Sequence, residues 1–152
     1  MPKLDEIDFK ILKILQEDGR TPVAEIARQV KLASPSVHER ISKLEHEGII
    51  KGYTALLDSK KLGKDVTAFI GIKINHSISN GDSVIKELGK IDDIIESHTV
   101  TGDEDILVKV KTENTTTLEK LLTKIYSIKG ILSTKTTVVL STIVESLKLK
   151  IE

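Results

Sequence analysis

The sequence predicts an α+β protein in two parts, a three-helix N-terminal region followed by a unit of alternating strands and helices. Three observations carry this reading. Apolar residues recur at helical spacing as far as Leu44. From Val66 onward the period changes to two. Between the two regimes lies the polar run Lys60-Lys61-Leu62-Gly63-Lys64-Asp65, which reads as a linker.

In the first helix Leu4, Ile7, Ile11 and Ile14 share one face, widened by Leu12 and Leu15. Asp5 is its expected N-cap, Asp8 adds charge to the first turn, and Asp18-Gly19 ends it. Thr21-Pro22 starts a second helix, because Pro at a first helical position loses no hydrogen bond. Its apolar stripe is Val23, Ile26, Ala27 and Val30, with Ala27 small enough for close crossing. Lys31-Leu32-Ala33 is a short connector, and Ser34-Pro35 starts a third helix with Val37, Ile41 and Leu44 inward. Ser36, His38, Glu39, Arg40, Ser42 and Lys43 are then left on its outer faces, and Gly48 stops it. A helix supported from behind, with hydroxyls and long cations in front, suits the major groove of DNA.

Residues 49–58, IIKGYTALLD, read as an extended, β-prone hinge. Val66, Ala68, Ile70, Ile72 and Ile74 then alternate over Thr67, Phe69, Gly71 and Lys73 in a strand. Asn80-Gly81 leads into a short helix bearing Val84, Ile85 and Leu88. A strand over 94–101, a tight turn at Gly102-Asp103-Glu104-Asp105 and a strand with Ile106, Val108 and Val110 follow. Asn114 or Thr116 caps the next helix, Thr116 with Glu119 fitting a capping box. Leu118, Leu121, Leu122 and Ile125 face inward, Lys129-Gly130 closes the helix, and ILSTKTTVVLST forms a strand, with a last short strand expected at 144–151. The order βαββαβ is the ferredoxin-like pattern, whose helices cover one sheet face. The other face, with Phe69, Leu107 and Val139, needs a partner, and a second copy of the chain is the economical one. The expected division is 1–48 helical, 49–65 hinge and linker, and 66–152 ferredoxin-like.

Composition narrows the function classes. The chain has no Cys, which excludes disulfides, thiolate metal sites and Cys nucleophiles. No signal peptide or long apolar run appears, so a soluble, cytoplasmic protein with no membrane association is expected. His38, His46, His76 and His98 fall in different elements, no phosphate-cradling Gly loop occurs, and no catalytic or metal site is expected. With 23 basic and 23 acidic residues, a monomer would bind DNA weakly; a DNA reader of this composition works as a dimer or larger assembly.

The segments LDEIDFKILKIL, ERISKLEHEGIIKGYTALLD and TGDEDILVKV, together with the βαββαβ order, resemble the leucine-responsive (Lrp/AsnC, feast/famine) family of transcription regulators over nearly the whole chain. The resemblance implies promoter binding through an N-terminal helix-turn-helix, dimers and higher oligomers through the C-terminal domain, and a small amino-acid effector held between C-terminal domains. It places Arg40 on the recognition helix and Gly52-Tyr53 in the hinge. Ser34 as its cap, and Ser36, His38 and Lys43 from their place on the helix, complete the expected DNA set. The resemblance puts Gly102 and Asp105 in the effector turn, completed by Thr134 and Thr136 of a neighbouring subunit. Two departures stand out. Lys31 occupies a turn position where the family commonly has Gly, and Ala33 one where it commonly has Ser. Positive φ penalises a non-Gly residue, so a turn differing in detail, with the cap moved to Ser34, is expected.

The chemistry of a free amino acid fits the turn. Asp105, with Asp103 or Glu104 nearby, could take its ammonium, and Gly102 N–H with the Thr134 and Thr136 hydroxyls its carboxylate. Read without the resemblance, the same residues are a hairpin turn and strand-favouring threonines. Beside a DNA-binding regulator stand two alternatives, a metabolite-binding module acting on a protein partner and a small enzyme built on the ferredoxin-like half. No cofactor is expected.

Overall fold

The computed structural model describes residues 3–78 and 81–152; the Asn80 turn falls outside them. The chain divides into two compact units, Met1–Leu56 with Val144–Glu152, and Leu57–Ile143.

The first unit holds three helices, α1 (Glu6–Glu17), α2 (Val23–Val30) and α3 (Ser34–His46). Asp5 caps α1 as a reciprocal box: Ile7 and Asp8 N–H donate to its Oδ1, each at 2.9 Å, and Asp5 N–H donates back to Asp8 Oδ2 at 3.1 Å. Ile11, Ile26, Ala27, Val30, Val37 and Leu44 form the buried core between the helices. At the end of α3, Ile49 and Ile50 N–H both donate to Leu44 O, at 2.9 and 3.1 Å, around Gly48 at φ 69°.

Residues 51–58 form no strand, contrary to the hinge expected from their composition, and Leu56 and Leu57 lie exposed. A strand exists only where a ladder partner takes its N–H and C=O groups, and this chain alone offers none there. Tyr53 is fastened instead: its ring lies over Gly19, where an added Cβ would come within 3.2 Å, and its hydroxyl donates to Glu45 Oε1 at 3.0 Å. Burial, then the Glu45 carboxylate, pushes its phenol up to about 12. The expected final strand is also absent. Residues 144–152 belong to the first unit, where Leu149 N–H donates to Gln16 Oε1 at 2.7 Å, Gln16 Nε2 donates to Leu149 O at 3.2 Å, and Lys148 pairs with Glu17 at 2.6 Å.

The second unit contains β1 (Val66–Ile74), α4 (Asp82–Leu88), β2 (Ile94–Thr99), β3 (Ile106–Thr112), α5 (Thr115–Tyr126) and β4 (Ile131–Val138). The sheet order is β2-β3-β1-β4, antiparallel throughout. This is the ferredoxin-like arrangement. Ala68, Ile70, Ile72 and Ile74 of β1 and Ile106, Val108 and Val110 of β3 meet Val84, Leu88, Leu118, Leu121 and Ile125 of the two helices in one core. Asn114, with Thr117, makes the box that caps α5, rather than Thr116 with Glu119. The opposite sheet face carries Phe69, Leu107, Lys109 and Lys135, around Gly71. A Cβ at Gly71 would stand 2.5 Å from Glu104 Cγ, so the missing side chain lets Glu104 lie flat on that face.

Candidate DNA-contact helix and ligand turn

The turn between α2 and α3 is made by Lys31 itself, at φ 57° and ψ 46°, the one non-glycine residue with positive φ among those described. Its N–H and that of Leu32 both converge on Ala27 O, the Leu32 bond at 3.0 Å. The turn therefore keeps the left-handed geometry that Gly would adopt freely, at a cost to lysine of roughly 1–2 kcal/mol. The cap does not move to Ser34. Ala33 is the N-cap of α3 with no side-chain bond, Ser34 is its first helical residue, and Pro35 follows.

Val37 and Leu44 anchor α3 from behind. Ser34, Ser36, His38 and Lys43 lie exposed on its other faces. Arg40 does not join them. Its Nη1 donates to Asp5 Oδ2 at 2.8 Å and to Asp8 Oδ1 at 2.7 Å, so it straps α3 to the capping box of α1. The bonds from Asp8 N–H and then from Arg40 hold the Asp5 carboxyl below its ordinary value. Helical periodicity could give Arg40 a face but not a partner 32 and 35 residues away.

In the second unit, Gly102 (φ 123°) and Asp103 are exposed at the turn before β3. Asp105 is half-buried and already engaged. Its N–H donates to Ile72 O at 2.9 Å, its Oδ2 accepts from Ile74 N–H at 2.7 Å, and its Oδ1 lies 3.3 Å from His76 Nε2. The Ile74 N–H, then His76, lowers the Asp105 pKa. In the sequence alone His76 has no visible partner. Antiparallel pairing of β1 with β3 supplied the missing signal, since it sets the end of one strand beside the start of the other.

Thr134 and Thr136, half-buried on the edge strand β4, stand opposite Ile72 and Ile70. Asp105 lies on the other side of β1, so two strand spacings, roughly 10 Å, separate it from Thr134 within one chain. Within one chain the turn and the threonines therefore lie on opposite sides of β1. A separate cleft of about 720 Å³ in the helical layer, lined among others by Lys90, Ile91, Lys124 and Lys129, contains none of them. Among the described residues no group of three His, Cys, Asp or Glu is arranged to hold a metal, and no helix is long and apolar enough to cross a membrane.

A helix-turn-helix unit joined to a ferredoxin-like unit defines a two-part DNA-binding regulator. Residues 4–45 match the AsnC-type helix-turn-helix domain and residues 67–149 the Lrp/AsnC ligand binding domain. The chain belongs to the Lrp/AsnC family of transcription regulators. It is 42% identical over 149 residues to the HTH-type transcriptional regulator FL11 of Pyrococcus horikoshii, covering 98% of this chain and 97% of that one. It is 41% identical to the regulatory protein AsnC of Haemophilus influenzae, covering 90% and 91%. The structure of E. coli AsnC superposes with a TM-score of 0.88 at 33% identity, over 96% of this chain and 98% of that one. A Neisseria meningitidis transcriptional regulator in complex with L-Met superposes at 0.87 with 25% identity, over 97% of each.

Proposed function

We propose that this chain is a sequence-specific, cytoplasmic regulator of transcription that binds promoter DNA as a homodimer or an oligomer of dimers, and that a small amino acid bound between its C-terminal domains sets the assembly. The observation that carries the effector half is the separation of Asp105 from Thr134 and Thr136. Two strand spacings lie between them within one chain, and a second copy would bring the threonines of one chain to the turn of another. The L-Met complex of the Neisseria regulator supports the ligand class. The half-buried Phe69 and Leu107 on the sheet face without helices support self-association.

Ser34, Ser36, His38 and Lys43 are the side chains offered to DNA, with Arg40 positioning the helix that carries them. Gly102 and Asp103 provide backbone and charge at the ligand turn, and Asp105 orients the ammonium through the carboxylate edge it turns to His76.

The test has two arms. Genomic-fragment selection with the full chain should return imperfect palindromes with half-sites about one DNA turn, roughly 34 Å, apart or a multiple of it. A thermal-shift screen of the twenty amino acids should raise the melting temperature with one or a few of them. Light scattering that finds a monomer at micromolar concentration, with and without those amino acids, would refute the assembly.

A further inference from the structure

We propose that Lys31 is a phosphate contact to DNA, a role that explains a charged side chain at a backbone position suited to glycine. Three observations converge on it. Lys31 is the one described non-glycine residue held at positive φ, where glycine would sit without strain, and residues held this way cluster at functional sites. It is exposed, and it sits three residues ahead of Ser34, at the end of α3 that enters the major groove in this motif. It is also unspent. Of the five basic residues between 28 and 51, Arg28 pairs with Glu25, Arg40 with Asp5 and Asp8, and Lys43 with Glu47. Lys31 and Lys51 have no acidic partner among the described residues.

A competing account is local. A cation at the C-terminal end of α2 interacts favourably with the helix dipole and its unbonded carbonyls. That role would make Lys31 a stabiliser of the fold with no effect on DNA. The two roles differ in what they do to salt dependence. Each phosphate neutralised on duplex DNA contributes roughly 0.9 to the slope of log affinity against log salt, whatever the base sequence.

The inference rests on the DNA-binding reading, and its test needs no knowledge of the target promoter. Fluorescence anisotropy with a random-sequence 40-base-pair duplex between 50 and 200 mM salt compares the full chain with Lys31→Gly, Lys31→Gln and Lys31→Arg. Melting curves of each variant report the fold. The slope should fall by roughly 0.9 per bound chain in the Gly and Gln variants and be retained in Lys31→Arg. If the contact contributes nothing at 1 M salt, affinity should fall per chain by roughly 15-fold at 50 mM and roughly 4-fold at 200 mM. Lys31→Gly should lose this affinity while melting at or above the wild-type temperature, because it relieves the backbone. Slopes equal to wild type in folded Gly and Gln variants would overturn the assignment of Lys31 alone. A wild-type chain that binds neither the random duplex nor selected genomic fragments would overturn it together with the DNA-binding reading.

Discussion

Ile26→Ala tests whether the DNA-contact helix is held by a core of its own. Ile26 is 0% exposed, in a cluster of six buried residues shared by α1, α2 and α3. The substitution deletes three buried carbons. At about 0.8 kcal/mol each, the transfer loss is roughly 2.4 kcal/mol. The cavity left behind brings the total to about 3–4 kcal/mol, within the range of Ile→Ala changes. A unit of this size has about 3–10 kcal/mol to lose, at the usual 0.05–0.15 kcal/mol per residue. The second unit has a separate core built on Ile70, Ile72, Val108 and Ile125, and none of it touches this change. Urea unfolding followed by circular dichroism should therefore split into two transitions, the earlier one moved to lower urea by an amount equivalent to about 3–4 kcal/mol. Gel-shift affinity should fall with the folded fraction of the first unit, while light scattering still reports the wild-type assembly. A loss below about 1 kcal/mol, or a single transition in which both units unfold together, would refute the reasoning.

Arg40→Gln should lower the melting temperature of the first unit yet leave the salt slope for a random duplex unchanged, because its guanidinium is spent on Asp5 and Asp8; a slope reduced by about one would return Arg40 to the DNA face. The Asp5 carboxyl is held below its ordinary value of 3.8, so its contribution is present above that value and lost as pH falls through the lower folded-state pKa. Acid unfolding of Asp5→Asn should accordingly be less steep than wild type below pH about 4, and parallel curves would contradict the hold of the Asp8 N–H and Arg40 on Asp5. Asp105→Asn should abolish the thermal shift given by the responsive amino acid and leave ligand-free DNA binding intact; an undiminished shift would move the pocket elsewhere.

Much of the fold was legible in the sequence because its signals are local. The alternation from Val66 to Ile74 marks β1, and Asp5 three residues before Asp8 marks the start of α1. Of the two candidate caps of α5, Asn114 is the one used, boxed with Thr117 rather than Thr116 with Glu119; both pairs have the spacing of a box, and only the backbone decides between them. What the sequence hid depends on distant partners. Periodicity turned Arg40 outward, but its charge is satisfied by α1. His76 gained a role from strand pairing, and residues 144–152 from Gln16. The hinge illustrates the limit from the other side. IIKGYTALLD has the composition of a strand, but composition supplies no ladder, so residues 51–58 stay unpaired in one chain. The Lys31 turn kept its left-handed form because the bonds to Ala27 O require it, whatever residue stands there.

The distribution of charge explains why assembly is the natural lever for such a protein. The chain is neutral overall, and the region around α3 gives most of its cations to its own carboxylates. The bonds of Arg40 to Asp5 and Asp8 position the helix, and with Arg28 held by Glu25 few cations are left per copy to release counterions from DNA. A single copy then binds weakly and with a shallow salt dependence. Linking copies makes the second engagement intramolecular and multiplies affinity without any new contact per copy. On the proposed reading, a ligand completed by two copies would favour the assembled state by its differential affinity for it, and DNA binding would follow by linkage. Strongly basic helix-turn-helix units would bind DNA whether assembled or not, and a ligand between their partner domains would have little left to control. On the proposed reading, the weak charge on each copy is what would let an amino acid bound between C-terminal domains decide whether DNA is bound.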